Sequence, residues 1–363
     1  MKQKANPCEP EPSLEAKVAL LRRRDSYPEH PAQVEAIETH MSWVFVTSRF
    51  AYKLKKPIRR GTLDYRALDA RLLNCRREVE LNRRLAPDVY LGVVPLTFAP
   101  DGRLHLDGVG RVVEWLVKMR RLPEDHTLQH AILAGKLDEA AVHRVASRLV
   151  RFFREAAPAP TGPAAYRRRF AKRIRDTRAD LGRSAYGLRP DRLDRLCEAQ
   201  LNFLATHPRM IGARARRIVE GHGDLRPEHI YLNAEPVVTD CLEFDRDLRS
   251  LDPLDELSFL AMECERLGAP VVGALLVEAY RVADGDPFES ALVDFYACYS
   301  AFLRAKLAVW HLDEPGTSDP EKWRQRTDRY LEIADLHARE MLLSAPEGNG
   351  HGERRTLAHA RGG

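Results

Sequence analysis

Alternating and helical patterns of apolar residues divide the chain into a β-rich first third and a mainly helical remainder. Residues 42–57, SWVFVTSRFAYKLKKP, carry two β-rich runs around a break at 47–49, which predicts a hairpin. Over residues 68–79 apolar side chains recur at spacings of four, three and four, which predicts a helix that ends near Leu85. Residues 92–119 return to a β-rich pattern, so strands are predicted on both sides of this helix.

Beyond residue 120 the pattern is mainly helical. Apolar residues at helical spacing over 142–152 predict an amphipathic helix, and long helices are expected over 291–312 and 321–343. Two short β-like runs, 230–232 and 237–238, interrupt this part of the chain on either side of a turn. The pattern therefore predicts an α+β protein in which one short hairpin lies among helices.

Composition and charge exclude several classes of protein. The chain has 363 residues, of which 44% are apolar and 31% charged, a composition typical of globular proteins rather than disordered ones. Its 58 basic and 53 acidic side chains give a formal net charge of +5, which does not favour a nucleic acid as partner. A nucleic-acid role rests only on the basic run over 166–178 and the Arg-rich C-terminal tail.

The cysteines and the N-terminus predict a cytoplasmic protein. Six cysteines are scattered along the chain without C-x-x-C spacing, as expected in a reducing compartment. The first residues contain no apolar core, so they do not resemble a signal peptide. No apolar run is long enough to span a bilayer, and no membrane partner is expected.

The stretch GHGDLRPEHIYL, residues 221–232, carries candidate chemistry. Asp224 follows a turn, and Asp240 lies sixteen residues later in VVTDCLEF. A hairpin between them would bring both carboxylates to one end, where one can accept a proton and the other can hold a hard cation. Phosphoryl transfer needs both of these functions, together with a lysine that holds phosphates. His222 is interpreted as a residue that orders the loop by hydrogen bonding.

A lysine and a glutamate complete the set. Lys53 ends the run Phe50-Ala51-Tyr52-Lys53, which matches the end of the kinase strand motif V-A-I-K. Glu78 lies beside the apolar stripe of the next predicted helix, where it can reach a lysine on the sheet. Lys55 shares a strand face with Lys53, and the motif favours Lys53.

With these motifs the sequence resembles the aminoglycoside phosphotransferase-like family of the protein-kinase-like fold. The segments that carry the resemblance are HGDLRPEH, VVTDCLEF and LDPLDEL. More narrowly, it resembles an uncharacterised bacterial group marked by ETHMSWVF, AYKLKKP, RRLAPDVYLGVVPL and VKMRRLP, whose members often carry a second, P-loop domain. No G-x-x-x-x-G-K-[ST] motif occurs in this chain, so that second activity is expected to be absent. The resemblance covers roughly residues 30–340.

The resemblance implies a two-lobed protein-kinase-like fold with a small β-rich N-lobe and a larger helical C-lobe. The N-lobe, with its nucleotide-binding sheet and helix, is expected over 13–118, and the C-lobe with the catalytic loop over 119–344. A leader, 1–12, and a tail, 345–363, are expected to be disordered.

The resemblance also implies ATP in a cleft. Lys53 would contact its phosphates, and Glu78 would anchor Lys53. Lys118 and Met119 would lie in the hinge segment beside the adenine ring. Asp224 would take the catalytic base position of the pattern H-R-D-L-x-x-x-N.

The metal ligands and the phosphate-covering turn depart from the family pattern. Asp240 would bind Mg²⁺, but the position of the second metal-binding residue holds His229, and imidazole is a poorer magnesium ligand than an amide oxygen. Mn²⁺ is therefore an alternative metal, and Glu243 is a candidate for the missing oxygen ligand. The turn over the phosphates has no glycine, so the hydroxyls of Thr39 and Ser42 would have to take its role.

Three functions stay open on the sequence. The first is an ATP-dependent phosphotransferase that acts on a hydroxyl of a small molecule. The second is a nucleotide-binding, pseudokinase-like regulator with little catalysis. The third is an iron enzyme that uses His222, Asp224 and His229 as a triad. The visible clusters are basic, which favours an anionic acceptor over a polycation, and the run over 166–175 is either a solvated helix face or an electropositive rim.

Overall fold

The computed structural model describes residues 11–61, 63–313 and 319–344. The predicted leader, 1–12, lies outside this range except for its last two residues, and the predicted tail, 345–363, lies wholly outside it. Within the described ranges we find no helix with the length and apolar character needed to cross a membrane.

Twelve strands lie in the described part of the chain, several of them only two residues long. They are β1 (Glu35–Glu38), β2 (Ser42–Val46), β3 (Phe50–Lys55), β4 (Arg59–Arg60), β5 (Leu63–Asp64), β6 (Tyr90–Phe98), β7 (Leu104–Leu106), β8 (Arg111–Arg120), β9 (Val219–Glu220), β10 (Ile230–Tyr231), β11 (Val237–Val238) and β12 (Ser250–Leu251).

The α-helices described number twelve as well. They are α1 (Leu14–Leu21), α2 (Leu68–Asn82), α3 (Leu128–Leu133), α4 (Glu139–Glu155), α5 (Pro163–Leu181), α6 (Pro190–Thr206), α7 (Pro208–Arg214), α8 (Arg246–Arg249), α9 (Pro253–Arg266), α10 (Pro270–Asp284), α11 (Ser290–Val309) and α12 (Pro320–Ser344).

Six strands form one antiparallel sheet in the order β1-β2-β3-β8-β6-β7. The β2–β3 hairpin has Phe45 opposite Tyr52 and Val44 opposite Lys53. Its turn is closed by Thr47, whose backbone N–H donates to the carbonyl of Phe50 and whose Oγ1 accepts from the Phe50 N–H at 3.0 Å. The hairpin predicted over 42–57 is therefore confirmed, including its break.

The pleat of β3 separates apolar residues from lysines. Tyr52 and Leu54 are buried in the core that also contains Val18 and Leu21 of α1. Lys53, between them in sequence, points to the opposite face because successive strand residues alternate. Strand β3 therefore presents its lysines on the face that α2 covers.

Helix α2 packs against β8 and β6 through a face that mixes apolar and charged groups. Cys75 and Val79 join Val117 in a second buried cluster. Arg71 lies on the same face and forms a two-bonded ion pair with Glu114 of β8, with N–O distances of 2.7 and 2.8 Å. Because a bidentate, fully buried pair holds a fixed geometry, α2 has a defined position over the sheet.

The chain divides into two compact units. One contains the described residues of Met1–Ala159 and Ile218–Gly285, and the other those of Pro160–Arg217 and Asp286–Gly363. Every predicted site residue belongs to the first unit. The predicted lobe boundary at 118 falls inside β8, and the lobe division itself stays a prediction.

The second unit is helical. Phe170 of α5 packs against Phe295 and Tyr299 of α11, with ring centroids 5.4 and 4.8 Å apart. Basic residues of the run over 166–175 flank this buried stripe, and one of them, Lys172, pairs with Asp176 on the exposed side of the helix. This arrangement agrees with the interpretation of the run as a solvated helix face.

Candidate active site

Glu78 of α2 is held by two lysines of β3. Its Oε1 accepts from Lys53 Nζ at 2.9 Å and its Oε2 from Lys55 Nζ at 2.5 Å. Only 1% of the Glu78 side chain is exposed. Burial raises the pKa of this carboxyl, but the two ammonium groups outweigh burial and hold the pKa below its ordinary value. Glu78 is therefore an ionised group at the centre of a buried charge cluster.

The two lysines differ in their second partners. Lys53, 17% exposed, also donates to Asp240 Oδ1 at 3.1 Å, whereas Lys55, 3% exposed, donates to Glu243 Oε1 at 2.6 Å. Burial lowers the pKa of Lys53, and the Asp240 and Glu78 carboxylates more than offset it, so the pKa lies well above its ordinary value. Lys53 thus faces Asp240, and Lys55 holds Glu243, a predicted metal ligand, from deeper in the protein.

The catalytic loop is fixed through its backbone. Arg84, just after α2, donates to the carbonyls of Glu220 and Gly221 at 2.6 and 2.8 Å. Gly223 has φ +88°, and a Cβ there would lie 3.0 Å from the Cβ atoms of Arg249 and Leu242. Glycine is required at this position both by the left-handed backbone and by the close approach.

Asp224 and Asp240 flank the same imidazole, that of His229. The Asp224 Oδ2 lies 3.9 Å from His229 Nδ1, and the Asp240 Oδ2 lies 3.7 Å from His229 Nε2. The β10–β11 hairpin joins the two segments, with Ile230 opposite Val238. The convergence predicted from that hairpin is therefore present.

Asp240 lies in an unusual backbone conformation. Its φ is +62°, in the left-handed region that few non-glycine residues adopt. Its N–H donates to the hydroxyl of Tyr90 at 3.1 Å, and the next N–H, of Cys241, donates to Asn82 Oδ1 at 2.9 Å. The Lys53 ammonium holds the pKa of Asp240 well below its usual range, although about half of the Asp240 side chain is exposed. Asp240 is thus a fixed, ionised carboxylate.

Both ring nitrogens of His222 are engaged. Its Nε2 lies 2.9 Å from the Thr239 carbonyl, and its Nδ1 accepts from the Asp224 N–H at 3.3 Å. Since a carbonyl only accepts, the proton is on Nε2. No lone pair remains for iron, so His222, Asp224 and His229 do not form the triad of the third hypothesis. Its expected role in ordering the loop agrees with these bonds.

Sequence reasoning missed Glu256 of α9. This buried carboxylate accepts from the backbone N–H groups of His222, at 3.0 Å to each oxygen, and of Gly223. Burial raises its pKa to about 7, against the lowering effect of these bonds. The sequence did contain a signal for this residue. In the segment LDPLDEL, which resembles the family's D-P-x-x-D-L, the second acid of the motif falls on Glu256. The first acid, Asp252, caps α9.

The turn between β1 and β2 is closed on itself. Thr39 Oγ1 lies 3.0 Å from the N, O and Oγ atoms of Ser42. The predicted phosphate-covering hydroxyls therefore bond each other in this arrangement, and their contact with phosphate stays a prediction.

The predicted hinge lies in paired strand. Lys118 pairs with Tyr52 on one side and Gly92 on the other, and its ammonium lies 4.6 Å from the centre of the Phe50 ring. Met119 lines a cavity, and the wall of that cavity continues to Leu122. Lys118 is not among the residues that line this cavity, and the place of Lys118 and Met119 beside an adenine ring stays a prediction.

These residues surround one cavity of about 830 Å³ within the first unit. One part of its wall is apolar, formed by Ile37, Val44, Val46, Ala51, Val89 and Leu122. Lys53, Glu78, Asp224 and Asp240 provide polar groups elsewhere in the lining. A pocket of this size with a few convergent polar groups is typical of a small-molecule site.

A carboxylate on the cavity wall could serve a metal ion. Asp240 carries oxygen atoms of the kind that hard divalent cations prefer. Over residues 11–61, 63–313 and 319–344, no group of three or more His, Cys, Asp or Glu side chains is placed to hold a metal ion. Any ion here would take the rest of its ligands from substrate and water, which is usual for Mg²⁺ at phosphate sites.

Acid is expected to destabilise the protein through His222. Burial lowers its pKa to about 3 from 6.5, so between these values the unfolded chain binds a proton that the folded chain rejects. Stability is lost as pH falls through this window, by at most about 1.4 kcal/mol per pH unit. Glu256, with its raised pKa, acts oppositely between pH 4.5 and 7.

The check compares urea unfolding of the wild type and His222→Gln between pH 6.5 and 4. The variant should lose less stability on acidification. Histidine NMR of the wild type should also show one imidazole that stays neutral to about pH 4. An NMR spectrum in which every ring titrates near pH 6.5 would contradict the prediction.

The chain has uncharacterised relatives in sequence. No family model matches the chain. It is 32% identical over 284 residues to uncharacterised proteins of Mycobacterium tuberculosis and Mycobacterium bovis, covering 76% of this chain and 54% of each relative. The chain therefore spans about half the length of these curated relatives.

Two solved structures match the chain, and the first of them shows a similarity of fold. A choline/ethanolamine kinase family protein from Mesorhizobium loti matches with a TM-score of 0.51 and 14% identity, over 90% of this chain and 99% of that one. A glucosamine kinase in complex with glucosamine, ADP and inorganic phosphate matches with a TM-score of 0.46 and 14% identity, over 88% and 81%.

Proposed function

We propose that this chain, which has the protein-kinase-like fold, is a phosphotransferase that moves the γ-phosphate of ATP to a hydroxyl of a small molecule. One observation carries the proposal. Lys53 lies between Glu78 and Asp240, and Asp224 approaches the same histidine as Asp240, all around one cavity. Phosphoryl transfer needs this combination of a phosphate-binding cation, a metal-binding carboxylate and a base.

In the proposed reaction Asp224 orients the acceptor hydroxyl and takes its proton. The acceptor oxygen then bonds to the γ-phosphorus as the bond between that phosphorus and the ADP oxygen breaks. Lys53 steadies the phosphates, and Glu78 keeps Lys53 in place. Most of the rate gain would come from positioning and charge neutralisation.

Asp240 fits a divalent ion, Mg²⁺ or Mn²⁺, because it is an ionised carboxylate fixed on the cavity wall. Such an ion would neutralise charge on the phosphates. Glu243 is less suited than Asp240, since Lys55 binds its Oε1 at 2.6 Å and only 12% of its side chain is exposed, against 52% for Asp240. We propose Asp240 as the principal protein ligand.

The charge of the cavity bears on the acceptor. Seven acidic and four basic side chains line it. Lys53 and Lys55 are taken up by three of those acids, Glu78, Asp240 and Glu243. The remaining lining carries more negative than positive groups, so we propose a neutral or cationic alcohol rather than the anionic acceptor that the basic clusters favoured.

The regulator hypothesis has one observation in its favour. The turn at Thr39 and Ser42 has no glycine, and its hydroxyls bond each other. A turn closed in this way provides fewer donors for phosphate than a glycine-rich loop. Nucleotide binding without turnover in the wild type, across a panel of alcohols, would favour this second function.

Nucleotide binding tests the proposal first. Calorimetric titration with ATP and Mn²⁺ or Mg²⁺ is expected to show metal-dependent binding in the wild type. Asp240→Ala should lose the metal dependence, and Lys53→Met should weaken binding at least about tenfold, the effect of losing one charge-assisted phosphate contact. Lys55→Met is the matched control. It makes the same change two residues along the same face of the strand, at a lysine that binds Glu243 instead of Asp240.

The results separate the alternatives. Binding that depends on Lys53 more than on Lys55 supports Lys53 as the phosphate lysine, and the reverse order would transfer that role to Lys55. Absence of binding with either metal would refute both the transferase and the regulator. Once binding is established, phosphorus NMR of ATP with a panel of alcohols identifies the acceptor.

A further inference from the structure

We propose that His229 is itself a metal ligand, and that it makes this site select a divalent transition ion such as Mn²⁺ over Mg²⁺. The inference rests on the proposed function, because the nucleotide phosphates and water would supply the remaining ligands. It goes further by naming the class of ion and the atom that selects it, His229 Nε2.

The tautomer of His229 follows from its hydrogen bond. Its Nδ1 lies 3.0 Å from the backbone carbonyl oxygen of Asp224. A carbonyl oxygen only accepts, so Nδ1 carries the proton, and the neutral ring has its lone pair on Nε2. Histidines that bind metals usually donate their other ring N–H to a carbonyl or carboxylate, which fixes the ring orientation. His229 is held in this way before any ion arrives.

The unprotonated nitrogen of His229 lies close to a carboxylate. Nε2 lies 3.7 Å from Asp240 Oδ2, while the other Asp240 oxygen is held by Lys53. Two acceptor atoms that face each other repel unless a proton or a cation lies between them. Ligands each about 2.1 Å from one ion are at most about 4.2 Å apart, and 3.7 Å is within that limit. His229 Nε2 and Asp240 Oδ2 are therefore close enough together to serve as two ligands of one divalent cation.

Ligand chemistry sets the choice of ion. Mg²⁺ prefers oxygen ligands in strict octahedral geometry, whereas imidazole nitrogen binds transition ions more readily. An asparagine at 229 would offer an amide oxygen, which suits Mg²⁺. Histidine at the same place shifts the balance towards Mn²⁺ and the later ions of the series.

Two other histidines must be considered as the source of a metal-bound nitrogen. His222 has both ring nitrogens engaged, by the Thr239 carbonyl and the Asp224 N–H. His40 lines the same cavity, so it is an alternative source of a metal-bound nitrogen. It therefore provides the control variant His40→Asn.

The test uses Mn²⁺ as the probe, alone and with ADP. Electron spin-echo spectroscopy of the bound ion is expected to show modulation from a ¹⁴N nucleus. The modulation should disappear in His229→Asn and persist in His40→Asn. Labelling the wild type with ¹⁵N-histidine should change it as well, which keeps the inference testable if His229→Asn folds poorly. Absence of histidine nitrogen coupling in the wild type overturns the proposal.

Competition between ions gives the second readout. The ratio of the Mg²⁺ to the Mn²⁺ dissociation constant should fall at least about tenfold in His229→Asn, the usual effect of changing a metal's ligand environment. An unchanged ratio would refute the selectivity. Histidine coupling in a protein that transfers no phosphate would leave this inference standing and remove the proposed function. Phosphate transfer by a protein whose bound Mn²⁺ shows no histidine coupling would remove this inference and leave the proposed function standing.

Discussion

Replacing Asp224 with asparagine is expected to slow phosphate transfer by a factor of about 10²–10⁴, the usual contribution of a general base. Asparagine keeps the size of the side chain but cannot take the acceptor's proton. The tie between this loop and His229 is made by the backbone carbonyl of residue 224, so the substitution leaves it in place. Nucleotide affinity should change little.

The measurement is the rate of ADP formation with an alcohol that supports turnover of the wild type, together with calorimetric binding of ATP. Glu228→Gln is the matched control, because Glu228 lines the same cavity and is paired with Arg226. If it lowers the rate as much as Asp224→Asn, then loss of negative charge rather than of a base explains the effect. A rate within twofold of the wild type would contradict Asp224 as the base.

The parts of the fold that follow local patterns were predictable. The β2–β3 hairpin follows from apolar alternation on either side of a short break, and α2 from apolar spacing. The β10–β11 hairpin follows from two short runs around a turn, and it accounts for the approach of Asp224 to Asp240. Each of these depends on residues close together in sequence, where one side-chain period is enough.

Side-chain periodicity alone did not predict most contacts between residues distant in sequence, above all those between buried charged groups. Glu256 reaches the backbone of His222 from 34 residues away. Arg71 and Glu114 are 43 residues apart and both buried. A charged residue on a helix is ordinarily expected to face water, so the patterns place these groups on the surface. Their burial depends on partners that only the folded chain brings together.

The two lysines of β3 show how far the sequence pattern could predict the site. Alternation correctly placed Lys53 and Lys55 on one face, and the motif chose between them. The pattern could not show that both bind Glu78, because it says nothing of how far α2 lies from the strand. Nor could it show that Lys55 takes Glu243, which follows 188 residues later.

Removing the Glu78 carboxylate is expected to have the largest effect on stability. Glu78→Ala should lower the free energy of unfolding by about 3–5 kcal/mol, the usual cost of breaking a buried ion pair by removing one partner. The reason is that Lys55, 3% exposed, and Lys53, 17% exposed, both lose a partner at once. Asp240 and Glu243 remain to hold them, so the protein is expected to stay folded with a weakened α2–β3 contact.

Chemical denaturation measures this loss, with Glu80→Ala as the control. Glu80 lies on the same helix, 70% of its side chain is exposed, and its ion pair with Arg77 is 3.5 Å long. The control should cost less than about 0.5 kcal/mol, as exposed substitutions usually do. Because the Glu78 pair is buried, its effect should also persist in 0.5 M salt, where exposed pairs are screened.

Activity distinguishes a structural role for Glu78 from a positioning one. Without Glu78, Lys53 keeps only Asp240 of its two acidic partners, so it is drawn towards the carboxylate that would hold the metal. Glu78→Gln provides a hydrogen-bond acceptor of the same size without charge. Compared with Glu78→Ala, it should recover part of the stability, whereas its ATP affinity should stay below that of the wild type. If Glu78→Gln recovers both fully, the charge of Glu78 is dispensable and the buried cluster acts by packing alone.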